Sequence, residues 1–198
     1  MTTTTAHKPV FILDDVDLAE VDAVADAAGW PLIARFPYGV DEDVELCWRI
    51  TPGADLNYIE SHTHGVCVLT VRGTDRDTVE SAAATVSEAI AVTTIDELLD
   101  RLGDESIEPT ALVRAWRAFD AALGFANTDE PLDPRLGSAV ERCLHHPNRQ
   151  VRLRTLIVCD NFGARWPRLL DLVEARQDDE TELDYVVDAL VESRQSGD

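Results

Sequence analysis

VELCWRITPGADLNYIESHTHGVCVLTVR, residues 44–72, is the stretch whose reading decides the fold of the first half of the chain. Val44, Leu46, Trp48 and Ile50 alternate with Glu45, Cys47 and Arg49, and a period of two places the apolar set on one face of a strand. Thr51-Pro52-Gly53 reads as a turn, and Leu56 to Glu60 as the strand after it. Gly65 to Arg72 is apolar on both faces, which predicts a strand in the interior of a sheet.

Upstream of this stretch, Pro9 to Leu13 reads as a strand, and Asp17 to Glu20 has the form of a capping box. Leu18, Val21, Val24, Ala25 and Ala28 then make one helical stripe, closed by Gly29 with Pro31 just beyond. Pro31 to Phe36 predicts a second strand, ended by the turn residues Pro37-Tyr38-Gly39. Downstream, Asp77 to Glu80 is a further capping-box pattern, and Val79, Ala82, Ala83, Val86, Ala89 and Ile90 share a helical face. The order β-α-β-β-β-β-α, or the same with one strand fewer, predicts an α+β fold, a mainly antiparallel sheet with both helices on one face. Thr94 to Glu97 caps a short helix to Leu102, and Gly103 to Ser106 reads as a linker, so that an α/β unit occupies residues 1–107.

Residues 108–198 carry no strand signal, and helices are predicted at about 110–124, 134–145, 148–161, 165–177 and 180–193. Pro109-x-x-x-Val113-Arg114 recurs 38 residues later as Pro147-x-x-x-Val151-Arg152, with a partial third copy from Asp179 through Leu183, Val187, Leu190 and Val191. A proline before a first helix, a Val-Arg pair within it and a second amphipathic helix after it resemble a HEAT-like repeat. The resemblance covers roughly the last 90 residues and implies an all-α stack of helical hairpins. The first copy departs from the pattern by the insertion Asn127 to Leu132, and the third lacks both the proline and the arginine.

Composition narrows the function classes. The chain has 198 residues, 45% of them hydrophobic, and no run approaches the roughly 20 apolar residues that span a bilayer. The apolar run from Pro9 to Leu13 is too short for a signal peptide, and Cys47, Cys67, Cys143 and Cys159 are widely spaced in apolar surroundings; both features point to a cytoplasmic protein with free thiols. The net charge is −21, of which residues 1–107 hold −15, from 21 acids and 6 bases. Such a field repels nucleic acid and attracts basic protein partners, unless the acidity is a salt or genome adaptation. Residues 135–168 run against it, with seven arginines facing Glu141 and Asp160 alone.

Chemistry-bearing patterns are few. Glu60, His62 and His64 have the two-residue spacing that would line one face of an extended strand, a candidate metal set and the basis for an alternative reading as a metal-dependent enzyme. His145-His146 sits where a helix end favours positive charge, and Cys67 is read as facing the core. Glycines form neither a GxGxxG fingerprint nor a P-loop, so no nucleotide cofactor is expected, and no catalytic residue is singled out. The expectation is a protein-binding chain, of the bacterial immunity type or a scaffold subunit. Asp41, Glu42, Asp43, Arg149 and Arg154 are its candidate contacts.

Overall fold

The computed structural model describes residues 9–14, 16–36, 44–61, 64–126 and 131–175. By contacts the chain divides into two compact units, Met1–Glu97 with Ala121–Asp129, and Leu98–Asp120 with Glu130–Asp198. The division falls ten residues before the expected 107/108 boundary and inside a helix, so Gly103 to Ser106 lies within the second unit. The later turns of that helix bury Leu98, Leu99 and Leu102, and this apolar face makes them part of the second unit.

The first unit is built on six strands: β1 (Val10–Leu13), β2 (Leu32–Phe36), β3 (Val44–Thr51), β4 (Ala54–Ser61), β5 (Val66–Gly73) and β6 (Thr93–Thr94). They form one sheet in the order β2-β3-β4-β5-β1-β6, antiparallel at every pairing. The expected α+β architecture is therefore present, with β5 in the interior as its two-sided apolar sequence implied. Val68, Leu69, Thr70 and Val71 of β5 have no exposed surface.

Helices α1 (Leu18–Ala28) and α2 (Arg76–Ala89) bury Val21, Ala25, Val79, Ala82, Ala83 and Val86 in one cluster with Phe11, Leu46, Trp48, Leu56, Tyr58 and Leu69. Both helices thus share one sheet face. The other face carries Ile12, Cys47, Asn57, Ile59, Val68 and Thr70, also buried, and Asn57 Nδ2 donates to Thr70 Oγ1 at 3.5 Å. Local signals explain the helix ends. Asp17 accepts from the Glu20 N–H while the Glu20 carboxylate accepts from the Asp17 N–H, and Gly29 closes α1 at φ 71°, where a side chain would be strained. For α2 the cap is Asp75, not Asp77, because its carboxylate accepts from both the N–H and the hydroxyl of Thr78. The two-residue strand β6 had no pattern long enough to announce it.

The second unit holds the later turns of α3 (Ile95–Gly103), most of α4 (Pro109–Phe125), and α5 (Pro134–Leu144), α6 (Arg149–Gly163) and α7 (Pro167–Glu174). These match four of the five helices expected in the second half; the fifth, at 180–193, and the third repeat copy lie outside the described residues. Helices α5, α6 and α7 pack on one another, with Leu136, Val140, Cys143, Val151, Leu156, Cys159 and Leu169 fully or almost fully buried. At the α6–α7 corner a Cβ on Gly163 would lie 2.6 Å from the Leu170 side chain, so the close approach requires a glycine there. No helix among the described residues is long and apolar enough to cross a membrane.

On α6 and α7, Leu156 and Leu169 are fully buried, while Ile157, Leu170 and Leu172 are half-buried. Leu156→Ala should therefore lower unfolding free energy by about 2–5 kcal/mol, and Leu172→Ala by clearly less. Urea denaturation followed by circular dichroism measures both; equal losses would mean that the packing of α6 and α7 differs from this one.

Candidate functional site

Three groups of residues compete as a site, and the edge of the sheet is the most distinctive. Strand β2 is the outermost strand, and Leu32, Ile33 and Phe36 on it are exposed by 48%, 43% and 48%. Large apolar side chains grouped on a sheet edge are normally avoided, because an unpaired strand is a template for another chain. The register pairs Leu32 with Trp48 and Arg35 with Leu46, on the helical face, but Ala34 with Cys47 and Phe36 with Glu45, on the opposite face. Apolar surface is therefore exposed on both sides of the edge. A bulge between Leu32 and Ala34 leaves Ile33 without an opposite residue.

The opposite edge of the sheet is short. Strand β6 has only Thr93 and Thr94; Thr93 donates to Asp14 Oδ2 at 2.8 Å, and the Thr94 hydroxyl and N–H both donate to the Glu97 carboxylate at 2.9 and 2.7 Å. Sequence reasoning recognised Pro31 to Phe36 as a strand but did not mark it as an edge. The signal was present: a short strand set between Pro31 and Pro37, with an arginine near its end, has the composition of an edge.

The second group is the expected metal set. Glu60 lies on β4 opposite Val44 and Cys67, but β4 ends at Ser61. His64 belongs to the turn after it, where the Gly65 N–H donates to the Ser61 carbonyl at 2.7 Å and His64 Nδ1 lies 2.9 Å from Ser61 Oγ. The strand spacing that would align His64 with Glu60 thus stops short of the histidine. His62 lies outside the described residues.

The third group is the arginine-rich stretch, which is mostly used internally. Arg135 pairs with Asp133 and with Asp100 at 2.8 and 3.1 Å. Arg142 donates to the carbonyls of Leu102 and Gly103 at the end of α3, and Arg152 to those of His146 and Pro147 at 2.7 and 3.0 Å. Cations on helix-end and loop carbonyls satisfy acceptors that the helices leave open. Of the expected contacts, Arg154 is half-buried, and burial followed by the like charge of Arg117 holds it below the usual guanidinium range, partly offset by Asp120. Asn161 Nδ2 donates to Asp120 Oδ1 at 2.8 Å in the same cluster. Arg149 is exposed at the start of α6, whereas Asp41, Glu42 and Asp43 lie outside the described residues. Arg165 stacks 5.3 Å from the centre of the Trp166 ring and, with Arg168 and Glu141, lines a groove of about 350 Å³ between α5 and the start of α7.

Cys47, Cys67 and Cys159 are poor nucleophiles. Burial raises Cys47 and Cys67 above the usual thiol range, and Cys67 shares a hydrogen bond with Tyr58 Oη at 3.1 Å. Burial, with Asp160 second, pushes Cys159 up to about 12. No family model, curated protein or solved structure matches the chain.

Because the native state keeps the Cys159 proton that the unfolded chain releases near pH 9, the stabilisation is complete below pH 9 and is lost as pH climbs towards 12. Urea midpoints should therefore fall between about pH 8.5 and 10.5, and fall less steeply in Cys159→Ala. Parallel slopes for parent and variant would exclude this thiol as a source of alkaline instability.

Proposed function

We propose that the chain is a non-enzymatic protein-binding protein of the bacterial immunity type, which neutralises a basic toxin or effector. The observation that carries the reading is the exposed apolar edge Leu32, Ile33 and Phe36 in the more acidic half of the chain. Apolar surface supplies affinity once water is excluded, and a net −15 over residues 1–107 supplies attraction and selectivity for a basic partner. Between β2 and β3 the sequence adds Asp41, Glu42 and Asp43 in a row. The helical half, read as a HEAT-like stack, serves in this proposal as a second recognition surface through Arg149 and the Arg165–Trp166–Arg168 groove.

The deciding experiment takes the product of the reading frame next to this gene, expresses it with and without this chain in bacteria, and purifies the two together. A stable complex and restored growth are expected. Growth arrest that this chain does not relieve, with no complex recovered, would defeat the immunity reading.

If the acidic segment steers the partner, Asp41→Asn, Glu42→Gln and Asp43→Asn combined should slow association several-fold at low salt and flatten its salt dependence. The unfolding midpoint should stay where it is. Stopped-flow association from low to high salt is the check, and identical salt slopes for variant and parent would take this segment out of the interface.

A further inference from the structure

Resting on the protein-binding reading, we infer that β2 is a strand-addition site, at which a basic extended segment of the partner pairs with the sheet edge through main-chain hydrogen bonds. No described strand lies beyond β2, and its two flanks expose Leu32, Ile33 and Phe36. Apolar exposure on both faces is what an incoming strand would cover, since its own side chains alternate above and below the sheet.

The ladder shows which groups are free to pair. The Arg49 N–H donates to the Pro31 carbonyl at 3.0 Å, which makes Leu32–Trp48 the open pair of the antiparallel alternation. Counted past the bulge, Ala34–Cys47 and Phe36–Glu45 are bonded pairs and Arg35–Leu46 is open. Leu32 and Arg35 therefore turn their N–H and C=O groups outward.

Charge and shape select the occupant. Residues 1–107 carry a net charge of −15, Glu45 lies opposite Phe36 on the neighbouring strand, and a second copy of the chain would bring the same net charge with it. The bulge at Ile33 adds local twist, which works against the flat self-pairing of identical edges. A basic strand of alternating apolar and cationic residues meets both conditions: its apolar face packs on Leu32 or Phe36 while its cations complement the net negative charge of residues 1–107.

The probe is a synthetic octapeptide of alternating lysine and valine, titrated against the full-length protein by fluorescence anisotropy. Its counterparts are the same peptide N-methylated at alternate residues and a glutamate–valine peptide. Saturable binding of the lysine–valine peptide is expected, weakened at least tenfold by N-methylation, with the glutamate–valine peptide at least tenfold weaker too. In the protein, Arg35→Pro removes the outward N–H and should cost at least tenfold, with the far-ultraviolet spectrum and thermal transition retained. Arg35→Ala removes a like charge and keeps the N–H, and should bind as tightly or more tightly. The N-methylated peptide leaves the protein unchanged, so it decides the matter if Arg35→Pro fails to fold.

No saturable binding, equal binding of the N-methylated peptide, or equal binding of the acidic peptide would overturn the inference. A dimer in sedimentation that Arg35→Pro abolishes would assign the edge to a second copy and overturn the basic occupant. A cognate partner that binds Arg35→Pro as tightly as the parent would remove β2 from the interface and leave the proposed function standing.

Discussion

The first unit depends on β5 being buried on both faces and hydrogen-bonded along both edges. It pairs with β4 from Val66 to Gly73 and with β1 from Cys67 to Thr70, so the register of the strands on either side is referred to this one segment. A one-residue slip would exchange Leu69 and Val71, which face α1 and α2, for Val68 and Thr70. The Asn57–Thr70 hydrogen bond on the other face adds a polar requirement to the same register, since a slip would leave a buried amide without its acceptor.

Strands and helices with strong periodicity were legible because their patterns are local. Val44 to Ile50 alternates, Asp17 and Glu20 cap, and Gly65 to Arg72 is apolar throughout; each states its own structure without help from the rest. Two kinds of information were not local. Strand order decides that Pro31 to Phe36 is an edge and that Thr93–Thr94 is a strand at all, and order is set by pairings between residues as far apart as Ile12 and Thr93. Strand ends are of the same kind: β4 stops at Ser61 and Gly65, at φ 64°, donates its N–H to the Ser61 carbonyl, so His64 belongs to a turn and not to the strand that carries Glu60. The site was therefore less legible than the fold, because exposure is a property of the assembled sheet.

Arginine shows a related division between sequence and structure. A net positive stretch within an acidic chain can be a surface patch or a set of internal pairings, and here Arg142 and Arg152 direct their guanidinium groups to backbone carbonyls, and Arg135 to two carboxylates. Planar donors with several N–H groups suit helix-end acceptors better than an ammonium would, which gives this arginine usage a structural reason in the second unit. What is left facing outward near the groove is Arg168, with Arg165 held against Trp166.

The two ends of the sheet differ in a way that bears on stoichiometry. A sheet open at both ends can polymerise, since every added molecule offers a fresh edge. Here β6 ends in two threonines whose side chains are already bonded to Asp14 and Glu97, whereas β2 ends in exposed backbone and apolar surface. Whatever strand joins β2, the ladder within this molecule still terminates at β6. A two-residue strand offers an incoming chain little to pair with, so the sheet presents one five-residue edge, β2, and not two.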